Sequence, residues 1–385
     1  MINGSPLNFK TDLNEEQYRA VTAEDGPALV LAGAGSGKTR TLTYRVAYLL
    51  LEKGLHPDEL LLLTFTNKAA REMTDRVQSL TGLDRRPRWS GTFHSIGGRL
   101  LRRFGSEIGL SPNYTILDQP DAESLLTSVI KASDKAFLKN KDHPKPKVIH
   151  SLLSYARNTC QPFGPLFKER YPWHETIQAQ VSGFVKLYDA AKREQQVADY
   201  DDLLVLWLKV LKDFPEIREA CTRRFPYVLV DEYQDTNTIQ AGIIDLIGSH
   251  HNIMAVGDDA QCIYTWRGAR FENIRSFPER HPGTCLYKIL TNYRSTPPIL
   301  RLANDVLAMQ PRDAGYEKEL VAHREGHMQP CLVPLMDTRQ QAQFLVSRIE
   351  GLHDEGVDLS DIAILYRAHY QALDTQLEFT RRGLP

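Results

Sequence analysis

Two rhythms of apolar residues alternate along this chain. Short unbroken runs stand at Ala28 to Leu31, Leu60 to Leu63, Tyr227 to Val230 and Ile253 to Val256. Such runs are too short for a helix and lack polar alternation, so they read as strands buried on both faces of a parallel sheet. Between them apolar residues recur at helical spacing over 41–51, over 69–80 and in a basic stretch ending near Gly109. Strand then helix, repeated, predicts an α/β sheet with helices on its faces. From Tyr114 to about Val197 the strand signal lapses. Helices are predicted there over 118–132, 147–158 and 175–195, with Pro-rich joints at 143–146 and 161–165. This block reads as a helical insertion, and the pattern leaves open whether it touches a ligand. After Pro282-Gly283 the β/α rhythm returns, with strands expected at 286–290, 331–335 and 361–366 and helices over 297–309, 338–355 and on to Arg382. The chain thus divides into a first α/β domain in two parts (1–113 and 198–284), an all-helical insert (114–197) and the start of a second α/β domain (285–385) with too few strands for a complete sheet.

Composition narrows the class. With 385 residues, 42% hydrophobic and 25% charged, the chain is long enough for more than one core and ordinary for a globular protein. No apolar run approaches the roughly 18 residues of a membrane span, and residues 1–11 lack the apolar core of a signal peptide, so a cytosolic protein without a membrane partner is expected. The five cysteines, at 160, 221, 262, 285 and 331, are scattered and contain no C-x-x-C pair, which argues against a disulfide framework or a zinc site. Lys and Arg total 47 against 48 Asp and Glu, so net charge says nothing for nucleic acid. Local clusters, Arg85 to Arg103 and Lys139 to Lys147, read equally as DNA-facing patches or solvated faces.

The chemistry centres on Ala32-Gly33-Ala34-Gly35-Ser36-Gly37-Lys38-Thr39, set between a predicted strand and a predicted helix. A glycine-rich turn there aims backbone N–H groups and a helix N-terminus at one anion. Lys38 is expected to reach the β- and γ-phosphates and Thr39 to ligate Mg²⁺. Ala32 stands where the strict pattern has Gly; Gly33, Gly35 and Gly37 are expected to supply the unusual backbone angles. Upstream, Gln17 either caps a short helix with Asn14 or reads an adenine edge. Leu60 to Leu63 runs into Thr64-Phe65-Thr66-Asn67, and Tyr227 to Val230 into Asp231-Glu232. Groups at the C-terminal ends of such strands occupy the functional edge of an α/β sheet. With a phosphate loop in the same chain, Asp231 suits a Mg²⁺ ligand and Glu232 a base for water. The stretch Gly257 to Ala269 offers Gln261 as a γ-phosphate sensor, and Tyr264, Trp266 and Arg267 as a surface for unpaired bases and phosphates.

Taken in order, Leu13-Asn14-x-x-Gln17, residues 32–40, 64–70, 91–94, 230–237, 257–269 and Asn292-Tyr293-Arg294-Ser295 resemble the UvrD/Rep family of superfamily 1 DNA helicases. The resemblance implies a RecA-like P-loop NTPase domain and the beginning of a second, gripping ATP and Mg²⁺ between them. It implies that Gln17 reads adenine, that Arg40 and Tyr293 sandwich its ring, and that Ala32 to Thr39 hold phosphate. Thr39 and Asp231 would bind the metal, and Glu232 would activate water. Arg294 would serve as an arginine finger. Phe65, Asn67, Thr92, His94, Tyr264, Trp266 and Arg267 would line a single-strand track. The implied activity is ATP-driven movement on single-stranded DNA, 3′ to 5′, with unwinding at duplex junctions in repair or replication. Ala260 and Cys262 replace the usual Asp and Ser, and altered local hydrogen bonding is expected. The family's later blocks would lie beyond Pro385, so a fragment with weakened ATP binding and hydrolysis is expected. Two other readings compete. A switch-type ATPase or phosphotransferase explains 32–39 and 231–232 but leaves 64–70 and 264–269 without a purpose; a non-motor DNA-binding module is the other.

Overall fold

The computed structural model describes residues 7–84, 86–310 and 315–384, with Arg267 described by its backbone alone. It divides into two compact units, one ending at His327 and the other beginning at Met328. The first unit is built on a parallel sheet of β1 (Ala28–Ala32), β2 (Leu60–Thr64), β3 (Ser90–Thr92), β6 (Tyr227–Val230), β7 (Ile253–Gly257) and β8 (Cys285–Ile289). Two short pairs accompany it: β4 (Thr115–Ile116) with β5 (Val197–Ala198), and β9 (Thr291–Asn292) with β10 (Val321–Ala322). The order across the large sheet is β3-β2-β6-β7-β1-β8.

The unbroken apolar runs have a direct consequence. Successive side chains on a strand point to opposite faces. Leu61, Leu63, Val228 and Val230 therefore enter one core while Leu60, Leu62, Leu229 and Val256 enter another. The first core is completed by Ile96 and Leu100 of the helix Phe93–Phe104, Trp207 of Tyr200–Asp213 and Ile243 of Thr238–Ile247. Leu42 and Val46 of Lys38–Leu51, with Met73 and Val77 of Asn67–Thr81, close the second. Side-chain caps start several of these helices at the sheet's functional edge: Thr66, Thr92 and Asn237 each accept an N–H of the first turn.

The insert has its own core, with Leu126, Ile130, Phe137, Leu153, Phe184 and Tyr188 among helices Gln119–Ser133, Pro146–Asn158, Phe163–Arg170 and Gln178–Glu194. Pairing of β4 with β5 brings its two ends together, Thr115 against Val197 and Ile116 against Ala198.

Two features differ from the sequence reading. The strand expected to open a second domain near residue 285 is β8, and it hydrogen-bonds in parallel to β1, with Ala28 opposite Cys285 and Ala32 opposite Ile289. The two compact units divide at 327/328. Periodicity identifies a strand without identifying its neighbour. In the second unit the described residues form the helices Thr338–Asp354 and Leu373–Arg382. The expected strands at 331–335 and 361–366 have no strand partner among the described residues. No helix among the described residues is long and apolar enough to cross a membrane.

Candidate functional site

β1 ends at Ala32, and residues 33–37 turn into the helix Lys38–Leu51 at the C-terminal edge of the sheet. Gly35 and Gly37 have φ of +78° and +90°, as expected of glycines in this turn. Gly33 does not have a positive φ; its requirement is space, because a Cβ there would lie 2.5 Å from a methyl of Leu320. Ser36 closes the turn from its backbone N–H (3.2 Å) and hydroxyl (2.8 Å), both donating to the Gly33 carbonyl. Gln17 is buried. Its Nε2 donates to the Ser36 carbonyl at 3.0 Å, and its Oε1 accepts from the Asn14 N–H, so it both caps its own helix and ties that helix to the phosphate loop.

Lys38 and Glu232 form an ion pair of 2.7 Å. Glu232 follows Asp231 at the end of β6, in the left-handed region with φ +49° and ψ +47°. A residue with a side chain is held there at a cost of order 1–3 kcal/mol. Gln234 links this pair to the next strand: its Nε2 donates to Glu232 (2.8 Å) and its Oε1 accepts from the Asp258 N–H (2.9 Å). Gln261 donates to Asp258 Oδ2 at 2.5 Å. Cys262, where the family pattern has Ser, places its thiol 3.3 Å from the Gln234 carbonyl.

A cavity of about 440 Å³ brings Thr39, Asp231, Glu232, Gln234 and Gln261 together with Phe65, Asp235 and Tyr264. Asp231 is buried, its Oδ1 has no hydrogen-bond partner, and burial together with the Glu232 charge pushes its carboxyl up to about 7. Asp235 shares both features; burial and Glu232 raise it to about 6. The sequence reading passed over Asp235 and Gln234, although both lie within four residues of Asp231 in the block that drew attention to it.

The segment from Asn292 lies directly on the loop. The Tyr293 N–H donates to the Gly35 carbonyl at 2.9 Å, Asn292 Nδ2 bonds the Ala34 carbonyl, and a Cβ on Gly35 would come within 2.6 Å of that of Arg294. The Arg294 side chain is exposed. Asn14 donates to the Tyr293 hydroxyl at 2.8 Å, while Arg40 donates to the Asp12 carbonyl (2.7 Å) and lies over the Tyr44 ring. Tyr293 and Arg40 thus flank the same turn between residues 12 and 14.

A larger cleft of about 800 Å³ opens beside the first. Its walls include Phe65, Thr92, His94, Tyr264 and Trp266, together with Ser151, Tyr155 and Asn158 from the helical insert. Phe65 and Tyr264 lie with ring centroids 5.2 Å apart, and Tyr264 and Trp266 6.4 Å apart. Burial holds His94 below its ordinary value, hence neutral at pH 7. The insert also reaches the 257–269 segment, since a Cβ on Gly268 would contact Asn158 at 3.2 Å. Asn67 is not part of this cleft; it faces a separate shallow groove with Arg71, Arg86 and Ser90. The Arg267 side chain lies outside the described residues. Phe65, Asp235 and Tyr264 line both cavities.

A family model for the UvrD/REP helicase N-terminal domain matches residues 13–282, and one for the UvrD-like helicase C-terminal domain matches 287–385. Among curated proteins, the ATP-dependent DNA helicase PcrA of Staphylococcus aureus is 37% identical over 377 residues, covering 97% of this chain and 50% of that protein. PcrA of Staphylococcus epidermidis is 36% identical over 378 residues, with the same two coverages. The chain spans about half the length of the curated relatives it matches.

Proposed function

Because the chain belongs to the UvrD/REP helicase family, we propose that it carries the ATPase core of a motor that moves along single-stranded DNA, 3′ to 5′, and serves DNA repair or replication. The observation that carries this reading is the shared wall of Phe65, Asp235 and Tyr264 between the phosphate-loop cavity and the aromatic cleft. A motor needs its fuel and its track to bias the same residues, and here residues at the ends of three neighbouring strands face both cavities.

In this reading ATP lies along residues 32–39, with its base between Arg40 and Tyr293. Gln17 supports the loop beneath it and contributes to adenine recognition. A Mg²⁺ ion fits the donor set, because Asp231 offers a buried carboxylate oxygen with no other partner in the cavity that Thr39 also lines. When bound, the ion neutralises charge on the β- and γ-phosphates. The phosphate competes with Glu232 for Lys38, which leaves the Glu232 carboxylate to take a proton from the attacking water. Gln261 orients that water or the γ-phosphate, and Arg294 supplies positive charge to the transferring group. Phe65, Tyr264 and Trp266 offer stacking faces that tolerate any base, as a motor crossing arbitrary sequence requires. Thr92, His94 and Arg267 add polar contacts to the strand, and Asn67 receives it at the neighbouring groove.

The test is ATP turnover with and without single-stranded DNA. DNA is expected to raise the rate several-fold and Lys38→Ala to bring it to background; turnover indifferent to DNA would favour the switch-type ATPase. DNA binding that ignores a nonhydrolysable ATP analogue would favour the non-motor DNA-binding module.

A further inference from the structure

Asp258 and Asp259 are consecutive and buried. Two like charges side by side, out of water, require a counter-charge. It comes from far along the chain: Lys318 Nζ bonds both Asp258 Oδ1 and Asp259 Oδ1, with its own side chain 4% exposed. The same stretch is fastened on either side. The Tyr316 N–H donates to Asp259 Oδ2 at 3.0 Å, Leu320 exchanges two hydrogen bonds with the Asn304 side chain, and the Leu320 methyls cover Gly33 of the phosphate loop.

The other atoms of Asp258 lead to the reaction cavity. Its Oδ2 accepts from Gln261 Nε2, its Oδ1 from the Ala260 N–H at 3.1 Å, and its carbonyl from the Gln261 N–H at 2.9 Å. Its own N–H donates to Gln234, which bonds Glu232. A continuous polar chain therefore runs from Lys318 through Asp258 to Gln261 on one branch and to Glu232 and Lys38 on the other.

We propose that Lys318 is a positioning residue for ATP hydrolysis: by neutralising Asp258 and Asp259 together it holds Gln261 at the phosphate-loop cavity and keeps the 257–269 segment in register with Glu232. This rests on the reading of the cavity as an ATPase site. Without the ammonium, the two carboxylates repel, the Asp258 carboxylate turns toward water, and Gln261 loses the acceptor that fixes it. Nucleotide binding, which relies on residues 32–39, persists.

Lys318→Met tests this, with two readouts. Hydrogen exchange over 258–262 is expected to quicken at least tenfold while exchange in β1 and β6 stays unchanged. Steady-state turnover on single-stranded DNA is expected to lose at least tenfold in kcat with KM for ATP within about threefold. Gln261→Ala is expected to lose as much, and the double variant no more than the worse single one, because both changes remove one interaction. Should the Met variant fail to fold, Lys318→Arg, which keeps the charge, takes its place, with turnover between wild type and Gln261→Ala and the same non-additive cycle.

Unchanged exchange over 258–262 overturns the proposal, whatever the turnover. So do losses that multiply in the double variant, or a rise in KM at constant kcat. If the wild-type chain shows no DNA-stimulated turnover, the ATPase reading fails on its own account, and exchange alone decides whether Lys318 holds this segment.

Discussion

Asp231 combines three features that seldom coexist: burial, a carboxylate oxygen without a partner, and a neighbouring Glu232 charge. Its acid form is favoured in the folded protein, so the fold binds a proton that the unfolded chain has released between about pH 4 and 7. Stability contributed by that proton is present at low pH and lost as pH rises toward 7. A shift of this size is worth on the order of 4 kcal/mol. Asp231→Asn is therefore expected to raise the melting temperature of the nucleotide-free protein at pH 8 and to raise it less at pH 5. Equal effects at both pH values would remove Asp231 as the source of the cost. Arg294 is the opposite case. Its side chain is exposed, so Arg294→Ala is expected to leave the melting temperature nearly unchanged while lowering ATP turnover about 10³-fold, the contribution of comparable arginine fingers.

Among elements, the helical insert is anchored by charge rather than by apolar contact alone. Lys192 of Gln178–Glu194 bonds Asp199 (2.7 Å) and Asp202 (2.6 Å) at the start of Tyr200–Asp213, and Arg157 of Pro146–Asn158 pairs with Asp189, Asp199 and Asp202. These groups are largely buried, and removing one partner strands the others. Arg157→Met is expected to destabilise the first unit by about 3–5 kcal/mol, read from urea denaturation, because uncompensated carboxylates stay buried. The 257–269 segment makes a different prediction. Trp266 is 61% exposed, so Trp266→Ala is expected to spare stability. It is expected to weaken single-stranded DNA binding by about 1–3 kcal/mol, the worth of one stacked base, in a fluorescence-anisotropy titration.

For the whole molecule, the arrangement that matters is two cavities on one sheet edge with Phe65, Asp235 and Tyr264 between them. In the proposed reading, occupancy of one cavity is expected to alter the wall of the other. A nonhydrolysable ATP analogue is thus expected to change single-stranded DNA affinity by at least fivefold, and DNA to change analogue affinity by the same factor, since coupling between sites is reciprocal. Independent affinities would separate the cavities functionally. The helical insert supplies part of the larger cleft through Tyr155 and Asn158 and contacts Gly268, so deletion of 114–197 is expected to remove that coupling along with the cleft wall.

What the sequence determined by itself was local. Four leucines in a row specify a strand buried on both faces, glycines at 35 and 37 specify a turn with positive φ, and an acidic pair after an apolar run specifies a polar sheet edge, because each depends on near neighbours in the chain. Tertiary structure decided whatever required a distant partner. It put β8 beside β1, joined Gln17 to the Ser36 carbonyl, gave Gly33 a steric rather than a torsional duty under Leu320, and set Asn67 in a groove of its own. It also brought Lys318 to Asp258 and Asp259. A lone Lys in Tyr316-Glu317-Lys318-Glu319 carries no sign of its role, since a buried charge is defined by the opposite charge that folding delivers to it.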